Sequence, residues 1–484
     1  MIRNLVVLIL TTWFSVSFIS CKKDKFLTDP DDTVSFSQDS ILFDTVFTSI
    51  GSTTKNIRVI NKNNQKINIS SIYLEKGQSS SFFLNVDGTP GKEVHDVEIL
   101  ANDSIYIFVQ VNVDPTNQNS PLIIQDKILF NVNGNIQSVP LEAWGQDAYY
   151  HFPTDAIQYK DGYFPFSYVA SGNNVTATWN NDKPHVIYGW LVVDSTQKLI
   201  INQGVRVYFH QNAGLWVYRY GTLQVNGMVG NEVTFMGDRR EADYADLPGQ
   251  WDRIWINEGS VDNYINYAII KNGYIGIQAS LLFSYAPNKL KLTNTIIQNC
   301  SKMGIYSLAF HIWGANNVVA NCKEYCGAFT LGGSYTFIHT TFANYFNQDG
   351  GRGGQPCVHV DNYDGTDIWP LDSMYFANSI IEGSQGSELE ISISQSTVAA
   401  QMSKFTNCLL RSSSITNTLV TSTANVFNGN ADFESTSGYN FKIKATSSAT
   451  NIADPAVIGT YPFLSQDIKG SSRMPNPDAG AYQH

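Results

Sequence analysis

Charge is scarce in this chain: Asp, Glu, Lys and Arg make up 15% of 484 residues, against 43% hydrophobic. The positive sign is the scarcer one, with 31 Lys and Arg facing 42 Asp and Glu, a net charge of −11 and a pI near 5.2. Without a basic surplus there is no counterion-releasing surface, which excludes nucleic acid as a partner. Cysteine is limited to six, at positions 21, 300, 322, 326, 357 and 408. Cys322 and Cys326 have no second pair at zinc-site distance, and setting Cys21 aside leaves an odd number, so neither a zinc motif nor a full disulfide framework is implied. No phosphate loop, dinucleotide fingerprint or Gly-x-Ser-x-Gly stands in usable context. The abundant residues are 25 Tyr, 27 Phe and 36 Gly, the composition of an all-β, secreted-type protein.

One phrase occurs three times between residues 267 and 329. The copies are Tyr267-Ala-Ile-Ile-Lys-Asn272, Asn294-Thr-Ile-Ile-Gln-Asn-Cys300 and Asn316-Asn-Val-Val-Ala-Asn-Cys322, each followed by a Gly at 276, 304 or 327. Asn299 and Asn321 are about 22 residues apart, a period typical of stacked supersecondary units. A short β-branched run, a bend at Asn and a Gly turn are too short for a helix and suit one coil of a parallel β-solenoid. A single coil cannot bury its own apolar face, so neighbours must stack. Stacking predicts one interior column through Ile297, Val319 and Ile381, a neighbouring ladder of Asn299 and Asn321, and buried thiols at Cys300, Cys322 and Cys408.

The first 21 residues have the layout of a secretory signal: Arg3, then an apolar run from Leu5 that thins out by Ile19. The segment ends Phe18-Ile19-Ser20-Cys21 and resembles the lipobox of bacterial lipoproteins, although Phe18 stands where that family usually has Leu, Val or Ile. The resemblance implies cleavage before Cys21, its acylation, and attachment to the bacterial outer membrane by a lipid anchor. Lys22-Lys23-Asp24-Lys25 is similar to the short signal that sends some Gram-negative lipoproteins to the cell surface, but it carries one acid only, so a surface or a periplasmic orientation stays open. Residues 22–35 read as a polar tether.

Between residues 41 and 145, seven or so strand-like runs follow one another at near-regular spacing, with Asn133-Gly134 as a hairpin signal. This pattern predicts a β-sandwich over residues 36–148. Phe43-Asp44, Val59-Ile60-Asn61, Phe82-Phe83 and Pro140-Leu141 with Gly145 resemble the immunoglobulin-like module of abnormal-spindle and major-sperm-protein domains. That resemblance implies a spacer or interaction module without catalytic residues. Residues 149–184 are rich in aromatics, Gly and Asn and read as a linker packed on the next domain, since so many rings would not be left in water.

The solenoid is expected over residues 185–484. Gly221-Thr-Leu-Gln-Val-Asn-Gly227 and Val233-Thr-Phe235 resemble phrases of right-handed parallel β-helix proteins of bacterial surfaces. The ending Asp467, Gly470, Arg473, Pro477-Asp478-Ala-Gly480-Ala-Tyr482 is similar to the final phrase of many of them, which implies a C-terminal cap.

Two long excursions interrupt the stack, and long loops on a rigid scaffold are where function collects. The first, at residues 237–251, together with the start of the next strand brings together Arg239, Arg240, Glu241, Asp243, Tyr244, Asp246, Trp251, Asp252 and Arg253, a mixture suited to sugar rings and uronate carboxylates. The competing reading is a solvated loop whose ion pairs fix its shape. The second, at residues 347–372, carries His359 and the acids Asp361, Asp364 and Asp367, oxygen ligands that could hold Ca²⁺ although their spacing fits no EF-hand; otherwise no cofactor is expected. Glu388 and Glu390 alternate with Leu389 and Ile391 and are expected on one outward strand face, where paired acids could act on glycosides. The leading expectation is an envelope protein that presents a β-helix surface to glycan or another envelope component without catalysis. The alternative is a polysaccharide lyase or glycoside hydrolase acting on an acidic polysaccharide, if acids and bases of the two excursions converge.

Overall fold

Strands of the first compact unit, residues 1–147, alternate buried and exposed side chains, as in Ile41–Phe47 and Ser104–Val111, because each sheet has one face to bury. The computed structural model describes residues 25–48, 51–115, 122–159, 162–281, 288–394 and 403–484. Cys21, with the expected signal and lipid attachment, lies outside the described residues.

Two five-stranded sheets form this unit. One joins Ser35–Phe36, Lys55–Ile60, Ser104–Val111, Phe82–Val86 and Thr89–Gly91; the other joins Ile41–Phe47, Asn135–Gln146, Leu122–Val132, Ile67–Leu74 and Glu93–Ile99. Their inner faces meet in a core that includes Phe43, Ile57, Phe82, Ile107 and Phe130. Asn61 is fully buried and its amide donates to the carbonyls of Gln65, Ile99 and Leu100, which fixes the bend after its strand. Gly145 is required where it stands, since a Cβ there would lie 2.5 Å from Val113 Cγ1. Part of the expected tether belongs to the sandwich: Val34 is in its core, clasped through its backbone by the Gln137 amide, and Leu27 bridges to Ile67.

The second unit, residues 148–484, is a parallel β-helix with three faces. Among the described residues its first sheet has eleven strands and its second and third have ten each. The central coils contribute one strand to each sheet in turn, for example Ile296–Cys300, Met303–Leu308 and His311–Ala315; the first coil gives the second sheet an antiparallel pair, Asp155–Tyr159 and Gly162–Tyr168. Inside, like residues stack in register: Ile270, Ile297, Val319, Phe342, Ile381 and Leu410 form one column of the first sheet, every member buried. Cys300 and Cys322 are register partners, and all five described thiols are free and buried, where desolvation pushes Cys322, Cys326 and Cys357 well above the ordinary thiol pKa.

Asn residues turn the corners because they tolerate the left-handed conformation and can hydrogen-bond along the stack. Between the first and second sheets stand Asn272, Asn299 and Asn321, with φ of 64°, 60° and 51°. A second ladder, between the third and first sheets, runs through Asn294, Asn316, His339, Asn378 and Asn407, all at positive φ. Asn316 donates to Asn294 Oδ1 at 3.1 Å, and Asn294 donates to Asn266 Oδ1 at 2.9 Å.

Three expectations change here. The linker of residues 149–184 is the first coil: Tyr149–His151, Gly162–Tyr168 and Thr176–Trp179 each begin or extend one of the three sheets. Its aromatic residues are those of a coil, with no apolar β-repeat to announce it. The second excursion is not one loop, because Val358–Asp361 inside it is a strand of the second sheet. The C-terminal phrase covers a side of the stack rather than its end. Ala431, Phe433, Ile468, Ala479 and Ala481 pack on Val318, Ala343, Ile380 and Leu409, the outward residues of the first sheet. Arg473 is buried there, donating to Asn316 Oδ1 and to the carbonyls of Asp478 and Gly480. A Cβ on Gly480 would meet Ile380 at 2.6 Å.

Candidate functional site

With the C-terminal segment on the first sheet and the helix Pro455–Thr460 packed by Val457 and Ile458 against outward residues of the third, the outward side chains of the second sheet form the face that presents polar and aromatic groups together. Parallel in-register pairing makes its main column Val192, Trp216, Trp255, Gln278, Tyr306, Ala328, His359 and Glu390. From Trp216 to Glu390 is six strand spacings, about 29 Å. A neighbouring column carries Asn257, Ser280, Leu308, Thr330, Asp361 and Ser392.

At the N-terminal end this face is a groove of about 650 Å³. Its floor and walls include Phe164, Trp190, Trp216, Tyr218 and Trp255, with Asp194, Asp252 and Arg253 at the rim. Trp216 and Trp255 stack with centroids 5.0 Å apart and Phe164 stacks on Trp190 at 5.0 Å. Both indole N–H groups on the column are satisfied, Trp216 by Asn257 Oδ1 at 2.6 Å and Trp255 by Ser280 Oγ at 2.8 Å, so the rings are held in fixed orientations while remaining half-buried.

At the other end His359 lies between two carboxylates. Its Nε2 is 2.8 Å from Asp361 Oδ2 and its Nδ1 2.8 Å from Glu390 Oε2. Burial disfavours the imidazolium, but the hydrogen bonds to Asp361 and Glu390 outweigh it and the pKa of His359 is raised. Tyr325 stands beside the imidazole with centroids 5.7 Å apart. Midway, burial raises the pKa of the Tyr306 phenol, which has Lys302, Asp361 and Arg253 as charged neighbours.

The first excursion is otherwise a fitted cover for the corner of the stack. Trp251 is 1% exposed, stacks on Phe209 at 4.3 Å and donates to the Lys271 carbonyl; it belongs to the core and offers no ring to a ligand. Arg239 is paired with Glu241 and lies 3.7 Å over the Tyr244 ring. Arg240 lies over the Tyr208 ring and donates to its hydroxyl. Lys271 pairs with Asp246 at 3.7 Å, while Asp243 is exposed on the short turn Ala242–Tyr244. The corner ladder holds the loop by its backbone, Asn272 donating to the Ala245 carbonyl and Asn299 to that of Asp246. Of the nine expected residues, the groove takes Asp252 and Arg253, which pair with each other; Arg253 also donates to Gln278.

Asp361, Asp364 and Asp367 do not converge as calcium ligands. Asp361 faces His359 and the Leu331 N–H, whereas Asp364 accepts the Thr366 and Asp367 N–H groups of its own turn. Among the described residues, no three of His, Cys, Asp or Glu are grouped as a metal ion would need. The alternation expected at Glu388 and Glu390 also fails. Glu388 precedes the strand Leu389–Ser392 and is fully buried, bound through both oxygens by Arg352 at 2.5 and 2.8 Å and by the Cys357 N–H. This pair ties the loop before Val358–Asp361 to the stack. The aromatic groove went unseen in the sequence because its rings come from separate coils, as far apart as Phe164 and Trp255; the signal was there as outward Trp residues at matching strand positions.

No family model matches the chain, and no curated protein sequence does. Among solved structures, similarity is found to a family 123 glycoside hydrolase from Clostridium perfringens (9% identity, TM-score 0.17, 24% of this chain and 26% of that one). The PapD-like domain 7 of human CEP192 is similar at 9% identity and TM-score 0.17, over 25% of this chain and 94% of that domain. The YadV chaperone is similar at 13% identity and TM-score 0.17, over 24% and 51%. The chain spans about a quarter of the hydrolase's length, and likeness of this extent carries no argument about function. Among the described residues no helix is long and apolar enough to cross a membrane.

Proposed function

We propose that this protein is a lipid-anchored component of a bacterial envelope whose β-helix binds glycan along the outward face of its second sheet. The observation that carries the reading is the aromatic groove continuous with a polar strip. Rings held rigid by hydrogen bonds offer apolar surface to the C–H faces of sugars, and Asp252, Arg253, Gln278 and Thr330 offer donors and acceptors for hydroxyls. A flat parallel sheet keeps these groups at fixed spacing, which suits an extended polymer. The anchor rests on the Ser20-Cys21 junction after the apolar leader.

Two experiments test this. Affinity electrophoresis against a glycan panel should show retardation that Trp216→Ala with Trp255→Ala abolishes; unaltered mobility of the wild-type protein across the panel removes the binding reading. Cys21→Ala should move the protein from the membrane to the soluble fraction, and a variant that still sediments with membranes in high salt places the anchor elsewhere.

A further inference from the structure

The aromatic groove has a charge as well as a shape. The charged side chains among its lining are Asp194, Asp252 and Arg253. Arg253 is engaged within the protein: it pairs with Asp252, donates to Gln278 Oε1 and lies 5.5 Å from the centre of the Tyr274 ring. Asp194 has no such cation. It follows the strand Trp190–Val193, and its backbone is pinned by the buried Gln197, whose side-chain oxygen accepts the Asp194 N–H at 3.1 Å. Its Oδ1 accepts the Ser195 N–H at 2.7 Å, and among the described residues no ion pair or hydrogen bond reaches its Oδ2. The neighbouring Tyr168 phenol feels the same field: burial raises its pKa, and the negative charges of Asp194 and Asp155 raise it further. The groove is thus left with one uncompensated carboxylate beside Phe164, Trp190, Trp216 and Trp255. Apolar walls concentrate that charge, because little water screens it there. A uronate carboxylate meets repulsion in such a site. An ammonium group finds a charge-assisted hydrogen-bond acceptor and rings that attract cations.

We propose that the groove selects a glycan bearing free amino groups, with Asp194 as the acceptor for a sugar ammonium; this rests on the glycan-binding reading above and names its ligand class. The C–H faces of the sugar pack on the aromatic walls, as they would for any glycan, and the ammonium donates to Asp194 Oδ2. A neutral sugar of the same linkage keeps the apolar contact and loses the ion pair. An N-acetylated sugar loses the charge too and adds the bulk of an amide. The groove's volume, about 650 Å³, is within the range of about 300–1,000 Å³ that ligand sites occupy. This preference is opposite in sign to the one that Arg239 and Arg240 suggested from the sequence, because those guanidinium groups are engaged with Glu241, Tyr244 and Tyr208 outside the groove.

Three β-1,4-linked tetrasaccharides that differ only at C2, built from glucosamine, N-acetylglucosamine and glucose, are titrated into the full chain by calorimetry. The glucosamine form should bind at least about tenfold more tightly than the glucose form. Asp194→Asn should remove that advantage while keeping the weaker binding of the glucose form and the melting temperature. Raising the pH until the sugar amine is neutral should remove it in the unaltered protein as well, a readout that needs no variant to fold. Equal affinity for the glucosamine and glucose forms overturns the ammonium assignment and leaves the glycan reading standing. An advantage that survives Asp194→Asn also overturns it, since it would then be general attraction to a chain of net charge −11. Binding of none of the three overturns the assignment, and the wider glycan panel above then decides the broader reading.

Discussion

The sandwich and the β-helix solve the same problem, one apolar face per strand, with opposite logics. In the sandwich, Ser104–Val111 buries every second side chain against a sheet that belongs to distant parts of the sequence, and the core closes once, around Phe82 and Phe130. In the β-helix, Ile297 rests on the equivalent residues of the coils before and after it, Ile270 and Val319. Some β-helix strands are covered on both sides: every residue of Val318–Cys322 is buried, because the C-terminal segment lies on the outward face of that sheet. A sandwich therefore depends on all of its strands together, whereas a solenoid depends on nearest neighbours and on whatever covers its flanks.

The sharpest test of that difference is Arg352→Ala. It leaves Glu388 fully buried and without its cation, and breaking a buried pair from one side costs about 3–5 kcal/mol. Denaturant melts should show the β-helix transition lowered and the sandwich transition unmoved; a shift of both would mean the two units unfold as one. Next come the matched pair Ile297→Ala and Ile107→Ala, each at a fully buried site and each expected to cost about 2–5 kcal/mol. Hydrogen exchange should show Ile297→Ala loosening the coils around it first, and Ile107→Ala loosening the whole sandwich. Uniform loss of protection across the β-helix would break the nearest-neighbour account.

A smaller effect should separate the units by pH. In the first coil His151 and His185 face each other at 2.9 Å and stack with Trp179. Burial lowers their pKa values to about 4 and about 3. Folded-state values below the unfolded one mean that their stabilising contribution is present above about pH 6.5 and is lost progressively as pH falls towards 4. The β-helix transition should therefore fall across that window, and His151→Gln should flatten the decline. A β-helix transition that is level from pH 6.5 to 4 would show that these rings carry no such linkage.

Much of this architecture was legible because short-range chemistry dictates it. A β-branched run followed by Asn and Gly, repeated at about 22 residues, has few ways to bury itself, and the column through Ile297, Val319 and Ile381 follows from that period. The first coil was hidden because Tyr149–His151 and Thr176–Trp179 take their strand character from the sheets they join rather than from an apolar repeat. The site was only partly legible. Trp251 sits in a loop-like string of charges, and nothing local says that Phe209 and the next coil enclose it. Glu388 and Glu390 are two residues apart, yet one lies buried under Arg352 and the other is open, because the strand begins between them.

By itself, then, the sequence determined the periodicity: which residues of the repeats turn inward and which Asn turns a corner, both properties of a few adjacent residues and their backbone preferences. Only the tertiary structure decided which of the three faces stays open and what meets on it. Trp216, Trp255, His359 and Glu390 share a face because parallel strands in register place matching positions of different coils side by side. The opposite outcome, burial of the first sheet's outward residues, came from a segment more than a hundred residues further along the chain, where Ala481 donates its N–H to Thr341 Oγ1. Such long-range choices depend on how loops and the C-terminal segment drape over the stack, and no local pattern encodes them.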